Sequence, residues 1–316
     1  MRLLKVNNLA LRLARTGVFA SLLVALQAFA FNSEAWLGYR DALSAKAQDL
    51  REDYAVYAAK VVNPALSLTV PVENYPDGSI KTSIFAEKAC FFMQDGYIWA
   101  EGVLVRDFAP DGSIQSQVEG ERCLINRNAK TGWVEGHAKA FYKGQAEAEG
   151  DNVYLSMADE FIIVFENTVL KSDGRVLTGK RLDYDRHGGI AMMDGNVVVT
   201  GAEKNRPYEI KGEQVFAFFE NTNDLKRVVA YNGVKVQSEN RFGSADRAVY
   251  NRKQNKLTMY AGDKGPAILE EKGKRKSKVK GRVINFWLDA EQVEVQDSEI
   301  TAETKGLKED GRFNRK

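Results

Sequence analysis

The chain has 316 residues, of which 44% are hydrophobic and 28% are charged, and its net charge is +2. Its length and hydrophobic content suffice for a large buried core in one or two domains. A charge this close to zero creates no strong overall field, so a nucleic-acid partner is not expected. With two histidines and two cysteines, the chain also offers few soft metal ligands.

Residues 1–31 predict an export segment. The stretch from Met1 to Arg15 carries four basic residues and no acidic one, and the uncharged stretch Thr16–Phe31 follows. At about 1.5 Å per residue this stretch spans roughly 24 Å, short of the ~30 Å hydrocarbon core. Ala28-Phe29-Ala30 has the small-x-small form of a signal-peptidase site. The segment is therefore a cleaved signal peptide, giving a periplasmic protein, or a retained anchor that faces the periplasm from the inner membrane.

Residues 32–63 predict an amphipathic helix. Asn32 or Ser33 can serve as the N-cap, and Pro64 ends the pattern. The helix could cover an open end of the remaining chain, lie on a membrane surface or pair with a partner helix. Its apolar positions recur at three- and four-residue spacing; they are Trp36, Tyr39, Leu43, Ala47, Leu50, Tyr54, Tyr57 and Val61.

Residues 64–303 predict an all-β body built from a repeated hairpin. Each unit reads as a short strand, a polar turn and a longer strand with a Gly, Asn or Asp at its middle, which suggests a bulge or bend. Seven such interruptions recur at a mean spacing of about 32 residues, in the range of a repeat array. They are Gly102, Gly136, Asn167, Gly195, Gly233, Gly262 and Asp297. Turn-linked hairpins favour an antiparallel sheet.

The two cysteines and a basic run allow further interpretations. Cys90 and Cys123 occupy matching places in the first two units. The sequence is compatible with a disulfide between them and equally with two unpaired, buried thiols. The run Lys272–Lys280 is either a solvated loop or a contact for phosphate groups, through Lys274, Arg275 and Lys276. Residues 304–316 are charged and lack an apolar period, which is typical of a disordered tail.

The sequence offers little chemistry. His137 and His187 lack neighbours at metal-ligand spacing, and there is no phosphate loop, nucleophile elbow or zincin motif. Asp183 and Asp185 flank Tyr184, and we interpret them as a solvated pair beside a turn. No catalytic residue, metal site or cofactor is therefore expected, and the chain is predicted to be a binding protein rather than an enzyme.

The apolar residues at alternate positions of the bent strands are predicted to form one apolar face, which lies between two facing sheets. If the sheets close, this face is an ordinary core; if they stay apart, it is a trough that suits acyl chains. The residues predicted to contact lipid are Ile190, Met192, Phe216, Phe218, Leu257, Met259, Ile284, Phe286 and Leu288.

The segment from Leu182 to Val199 contains a Tyr-Asp pair, a turn, an apolar run and Gly-Asn-Val-x-Val. This pattern resembles the repeat of the OstA-like family. Weaker copies occur at Ala248–Asn251 with Leu257–Gly262, and at Ile284–Leu288 with Val293–Val295. The family comprises the lipopolysaccharide-transport bridge proteins LptA and LptC and the N-terminal domain of LptD. The array here is longer than one typical module of that family, and a helix precedes it.

The resemblance implies an elongated antiparallel β-jellyroll with open, V-shaped sheets and a trough that holds the lipid A acyl chains. It also implies head-to-tail joining to other OstA-like proteins through edge strands, whose free N–H and C=O groups can template another chain. The expected function is lipopolysaccharide transport across the periplasm, in an LptA-like or LptC-like role. The alternative is a structural β-repeat protein of the envelope, an adhesin or scaffold, with a closed core.

Overall fold

The structure, a computed structural model, describes residues 33–142, 146–203, 205–220, 224–272, 276–288, 292–297 and 299–303. The predicted export segment 1–31 and tail 304–316 lie outside these residues. Among the described residues, no helix is long and apolar enough to span a membrane. The chain divides into two compact units, Met1–Asp49 and Leu50–Lys316.

Eighteen strands form one antiparallel sheet within the described residues. The predicted all-β, antiparallel jellyroll class is therefore confirmed. The strands are β1 Ala65–Asn74, β2 Ile80–Phe92, β3 Tyr97–Phe108, β4 Ile114–Asn126, β5 Thr131–Tyr142, β6 Ala146–Ser156, β7 Phe161–Ser172, β8 Arg175–Asp185, β9 Ile190–Glu203, β10 Arg206–Glu220, β11 Asp224–Ser238, β12 Arg241–Asn251, β13 Lys256–Tyr260, β14 Ala267–Glu271, β15 Lys276–Gly281, β16 Val283–Trp287, β17 Val293–Gln296 and β18 Glu299–Glu303.

The sheet is a continuous meander that divides at its C-terminal end. Strands β1 to β12 pair with their sequence neighbours in order. One half of β12 then pairs with β13 and the other half with β14. From there β13, β16 and β17 continue one layer, and β14, β15 and β18 continue the other.

Five of the seven predicted mid-strand interruptions lie within long strands, where these strands bend, whereas Gly262 and Asp297 lie between strands. Gly102, Gly136, Gly195 and Gly233 all have positive φ, between +60° and +84°. Glycine adopts this left-handed backbone without a Cβ clash. Asn167 and Asp297 also have positive φ, and pairing registers shift beside most of these positions, as in a β-bulge. The bend divides the long strands into two halves, which form two facing layers.

We call these layers arm 1 and arm 2. Arm 1 carries the β2–β3, β4–β5, β6–β7, β8–β9, β10–β11, β12–β13 and β16–β17 turns; arm 2 carries the β1–β2, β3–β4, β5–β6, β7–β8, β9–β10, β11–β12 and β14–β15 turns. The core lies between the arms and includes buried residues from both, such as Val134 and Met193 of arm 1 and Val118 and Ile210 of arm 2. Alternate residues of each strand face this core.

The predicted helix is present as α1, Ser33–Ala58. Six positions of the predicted stripe are buried, Trp36, Leu43, Ala47, Leu50, Tyr54 and Tyr57, whereas Tyr39 is exposed. In the second unit, Tyr57 stacks on Tyr97 at a centroid distance of 4.3 Å and donates a hydrogen bond of 2.9 Å to Asp95. The Tyr97 hydroxyl donates to Asp53 at 2.5 Å. The last turns of α1 thus pack against the β2–β3 hairpin.

The predicted lipid-contacting residues do not share one face, which corrects the sequence-based expectation. Leu257, Met259, Ile284, Phe286 and Leu288 lie in the core. Ile190, Met192, Phe216 and Phe218 lie on the opposite face of arm 1. The row of directly paired residues that contains Met192 and Phe216 continues across the sheet to Val229, Val249 and Thr258. On β13, Thr258 lies between Leu257 and Met259, which point to the other side of the sheet. A bulge shifts the alternation of side chains by one residue. Counting residues from one hairpin to the next therefore does not predict which side of the sheet a side chain faces.

The cysteines are unpaired. Cys90 on β2 is opposite Trp99, and Cys123 on β4 is opposite the next residue, Ala100, so β3 separates them and they face opposite sides of the sheet. Burial raises the pKa of the Cys123 thiol to about 12, so it carries almost no reactive thiolate near neutral pH.

We therefore expect two thiols per chain when the unfolded protein is titrated with a thiol reagent, with no prior reduction. In the folded protein only Cys90 should react on the same time scale, because Cys123 is fully buried. A Cys90→Ser variant that still reacted quickly while folded would contradict this assignment.

The basic run is not simply a loop. Its last residues, Lys276–Lys280, belong to β15, and Lys278 forms an ion pair of 2.6 Å with Glu270. Lys274 and Arg275, two of the predicted phosphate contacts, lie outside the described residues. For Lys276 only the backbone is described, as the first residue of β15.

Candidate functional site

A cleft runs along the line where the turns of the two arms face each other. Its central cavity has a volume of about 60 Å³ and opens to solvent. Ile162, Leu182 and Tyr184 line it from arm 1, and Tyr142 and Leu170 line it from arm 2. Apart from one serine and the tyrosine hydroxyls, the described residues of its walls carry no polar side chain. The centre of the cleft is therefore apolar.

Aromatic rings form the mouth of this central cavity. Tyr184 contacts Tyr142 edge to face at a centroid distance of 6.4 Å and Phe219 at 6.2 Å. Edge-to-face contacts of this kind are favourable. Burial raises the pKa of Tyr184 to about 12, so its hydroxyl stays neutral. The rings are only partly buried, and they are the apolar side chains that an entering ligand would meet first.

One flank of the cleft is polar. This second cavity, of about 70 Å³, shares Tyr142 and Ile162 with the central one. Arg186, on the β8–β9 turn, approaches Glu160 at 3.1 Å and reaches across the cleft to Asp107 at 3.8 Å. The hydrogen bond from Arg186 outweighs partial burial and lowers the pKa of Glu160. This contact connects arm 1 with arm 2.

Asp107 has further partners in arm 2. The hydroxyls of Thr82 and Ser116 each donate to its carboxylate, at 2.7 Å. Beside it, Glu73 accepts ion pairs from Lys81 at 3.3 Å and from Lys130 at 2.7 Å. Lys130 lies on the β4–β5 turn, so this pair is a second contact across the cleft. The polar flank is a connected network in which cations and carboxylates alternate.

The opposite flank has a different charge arrangement. Its cavity, of about 30 Å³, shares Leu170, Ser172 and Phe219 with the central one. Arg175 lines it and donates from Nε to the Tyr208 hydroxyl at 2.9 Å. Asp173 accepts ion pairs from Arg175 at 2.7 Å and from Arg252 at 2.5 Å. Because Arg252 follows β12 in arm 1, it joins the arms at this end.

The cleft therefore differs from the trough expected from sequence. The core residues Met259, Ile284 and Phe286 are at most 1% exposed, so the interior is closed at those positions. The apolar side chains that remain accessible lie at the ends of strands, next to turns; they are Tyr142, Ile162, Tyr184, Phe219 and Leu225. The sequence signal that could have identified several of them is an aromatic residue within the last two positions of a strand.

The acidic pair beside Tyr184 also differs from expectation. Asp183 is fully buried, not solvated, and accepts two hydrogen bonds of 2.9 Å from Arg181 Nε. Asp185 stays partly exposed and accepts from the Gly188 amide at 2.7 Å, which closes the turn. His137 and His187 are exposed. Within the described ranges, no group of three His, Cys, Asp or Glu residues could hold a metal ion.

Comparison with known proteins relates part of this architecture to a family. The family model described as LptA/(LptD N-terminal domain) LPS transport protein matches residues 183–292, which is less than half of the chain. These residues include the Phe219 and Leu225 side of the cleft and all of β9 to β16. No curated protein matches the chain.

Among solved structures, the chain is similar to LptH from Pseudomonas aeruginosa, described as the LptA homologous periplasmic component of the conserved lipopolysaccharide transport device. The identity is 17% and the TM-score is 0.33, over 37% of this chain and 82% of that one. The family match begins within the repeat at Leu182–Val199 and includes its copies as far as Leu288. The predicted resemblance to the OstA-like lipopolysaccharide-transport family is thus confirmed, and residues 183–292 carry its LptA/LptD N-terminal domain pattern.

Proposed function

We propose that this protein binds lipopolysaccharide through its acyl chains and takes part in carrying it across the periplasm. The observation that carries this proposal is the continuous cleft with an apolar centre and two charged flanks. An amphiphile needs both environments: apolar walls for its chains and polar groups beside them. The family match over residues 183–292 supports lipopolysaccharide as the amphiphile.

The proposed binding residues differ from those expected from sequence. Phe219, Tyr184 and Ile162 are accessible at the cleft, whereas Met259 and Phe286 could contact lipid only if the arms separated. Separation of the arms would require the Arg186–Asp107, Lys130–Glu73 and Arg252–Asp173 ion pairs to break. These contacts lie at the free margins of the arms, on hairpin turns or at the strand ends beside them.

Partners and location form part of the same proposal. The edge strands β1 at one end, and β17 and β18 at the other, have one side without a partner strand among the described residues. Such edges can pair with an edge of another OstA-like protein. We place the protein in the periplasm, released or held at the inner membrane by residues 1–31, and assign it no catalytic role.

The closed core favours a second candidate function. Val134 and Val164 of this core are fully buried, as are Ile284 and Phe286. A body packed this well could act as a structural repeat protein of the envelope without any lipid. This candidate predicts that changes at the cleft mouth alter no binding property.

A pair of adjacent phenylalanines separates the two candidates. Phe219 lines the cleft, while Phe218 lies on the outer face beneath Arg227, whose guanidinium is 4.4 Å from the ring centroid. Phe219→Glu places a charge at the apolar mouth, and Phe218→Glu is the matched control on the same strand. We expect lipopolysaccharide co-purified with the full chain to fall about tenfold in Phe219→Glu, equivalent to ~1.4 kcal/mol, and to stay unchanged in Phe218→Glu.

The measurement is mass spectrometry of extracted lipid, with circular dichroism to verify that both variants fold. Lipopolysaccharide carried equally by the wild type and both variants would move the binding site away from the cleft. Absence of lipid from the folded wild type, even after incubation with excess lipopolysaccharide, would favour the structural candidate.

A further inference from the structure

The central cavity is too small, as it stands, for the ligand that we propose. Its volume is about 60 Å³, whereas pockets that hold small molecules measure roughly 300–1,000 Å³. An acyl chain can therefore enter only if part of the margin between the arms opens. The contacts along this margin decide which part opens most easily.

Two ion pairs cross the margin, one on each side of the central cavity. Arg186 of arm 1 reaches Asp107 of arm 2 at 3.8 Å beside the polar cavity, and Arg252 of arm 1 reaches Asp173 of arm 2 at 2.5 Å beside the opposite one. We call them the closing pairs. Each of them fixes the separation of the arms at its own position.

Both closing pairs belong to larger networks. Arg186 also pairs with Glu160 at 3.1 Å, and two hydroxyl groups of arm 2 donate to Asp107 at 2.7 Å. At the other side, Asp173 also pairs with Arg175 at 2.7 Å. The members of such a network hold one another in one geometry, so opening a closing pair disturbs several contacts together.

The closing pairs are the ends of one window in the margin. On arm 1, four strand spacings separate the β8–β9 turn from the β12–β13 turn; on arm 2, four separate the β3–β4 turn from the β7–β8 turn. At about 4.8 Å per strand, the window is ~19 Å long on both arms. The two arms therefore face each other along its whole length.

Within the window, aromatic rings bring the arms together. Tyr142 of arm 2 contacts Tyr184 of arm 1 at a centroid distance of 6.4 Å, and Phe219 lies beside Tyr184 at 6.2 Å. Such ring contacts are weaker than hydrogen bonds to charged groups, and a ring can turn without breaking the strand ladder. The register of β10 with β11 also shifts between Phe218 and Phe219, which disrupts the ladder next to this ring. The window is therefore the easiest part of this margin to open.

We propose that lipid enters this protein sideways, through the window, while both closing pairs stay formed. Tyr142, Tyr184 and Phe219 are the gate, and the acyl chain passes between them into the space above the core. The inference rests on the proposed lipid-binding function and adds the route of entry to it. Two other routes are the alternatives: separation of the arms along their whole length, and entry from one end of the β body.

The test closes the gate and a closing pair separately, with a cleavable bis-maleimide crosslinker on the full chain. The gate variant carries Tyr142→Cys with Tyr184→Cys, and the closing-pair variant carries Arg186→Cys with Asp107→Cys. Both are made in a Cys90→Ser background, where the remaining native thiol is fully buried. Each crosslinked protein is compared with itself after cleavage of the linker, so the effects of the substitutions cancel.

The ligand is purified lipopolysaccharide, and bound lipid is measured by mass spectrometry after circular dichroism has verified folding. We expect the crosslinked gate variant to take up about tenfold less lipid than its cleaved form, because the open state is no longer populated. The crosslinked closing-pair variant should take up as much as its cleaved form. Equal inhibition by both crosslinks would show that the arms separate along their length. Inhibition by neither would show entry from an end, and either result refutes the window.

Two single substitutions give a second readout. Phe219→Ala removes a ring of the gate and should speed uptake about fivefold, a factor equivalent to one edge-to-face contact. Phe218→Ala removes the adjacent ring on the outer face and should leave the rate unchanged. Equal rates for the two variants would contradict the gate. If the folded wild type and both cleaved proteins take up no lipopolysaccharide, the proposed function itself fails; uptake that no crosslink changes refutes the route alone.

Discussion

Replacing Arg181 by methionine should lower the free energy of unfolding by about 3 kcal/mol, because it removes the guanidinium from a buried carboxylate. Asp183 is fully buried on the outer face of arm 1, between Ile163 and Met192 in the directly paired row. Arg181 donates two hydrogen bonds of 2.9 Å to it. Its guanidinium also lies 5.3 Å from the centroid of the Phe165 ring, a contact that methionine cannot reproduce electrostatically.

The measurement is urea unfolding followed by circular dichroism, which reports the free energy through the transition midpoint and slope. Arg282→Met provides the matched control. Arg282 pairs with Asp297 at 3.0 Å, but both side chains are about two-thirds or more exposed, at 73% and 68%. Exposed pairs contribute only about 0–1 kcal/mol. Equal destabilisation by the two substitutions would show that burial of Asp183 does not govern the cost.

The second large effect concerns a glycine at the bend between the arms. A Cβ added at Gly120 of β4 would lie 2.4 Å from Cγ1 of Val134 on β5 and 3.1 Å from the Glu135 carbonyl oxygen. Val134 is fully buried in the core, so it has little room to move. We expect Gly120→Ala to cost about 3 kcal/mol through overpacking.

A double-mutant cycle tests the cause. Val134→Ala removes the clashing methyl group, so Gly120→Ala should cost much less in that background than in the wild type. Gly112→Ala, in the β3–β4 turn, is the control: its Cβ would meet no described heavy atom within 4 Å, but its φ is +81°. The control should cost about 1 kcal/mol from backbone strain alone. Strictly additive costs for Gly120→Ala and Val134→Ala would refute the steric explanation.

The same close approach recurs along the bend. A Cβ at Gly150 of β6 would lie 2.4 Å from Val164, and one at Gly281 would lie 2.5 Å from Val295. The repeat pattern of the sequence identified glycines that have positive φ, such as Gly102 and Gly195, but it did not identify this second set of glycines. Their φ is ordinary, and a side chain from another strand occupies the space that a Cβ would need. That reason depends on strand pairing, which a strand pattern does not reveal.

The side of the sheet on which each side chain lies was the least predictable feature of the strands. The hairpins, their turns and most of the mid-strand bends follow from local preferences: apolar alternation, turn residues and the φ that glycine tolerates. Which side of a strand faces the core depends on every bulge that precedes it. Between Phe218 and Phe219 the pairing register of β10 with β11 shifts by one residue, and one shift is enough to reverse every prediction made beyond it.

The cleft illustrates the same division. Tyr142, Tyr184 and Phe219 belong to three different hairpins, and each is, by itself, an aromatic residue close to a turn. The ion pair between Arg252 and Asp173 joins residues that no repeat period relates. Their proximity exists because the two arms close onto a common core, which brings distant turns to one margin.

The sequence by itself determined the antiparallel hairpin array, its bends and its family resemblance, because these depend on residues close together in the chain. Only the tertiary structure decided that Met259 and Phe286 lie in the core, whereas Met192 and Phe218 lie on the outer face of arm 1. It also decided that Asp183 is buried and that the ends of hairpins line the cleft. These properties depend on the accumulated register of successive strands and on the closure of the arms, both of which are set by contacts between residues far apart in sequence.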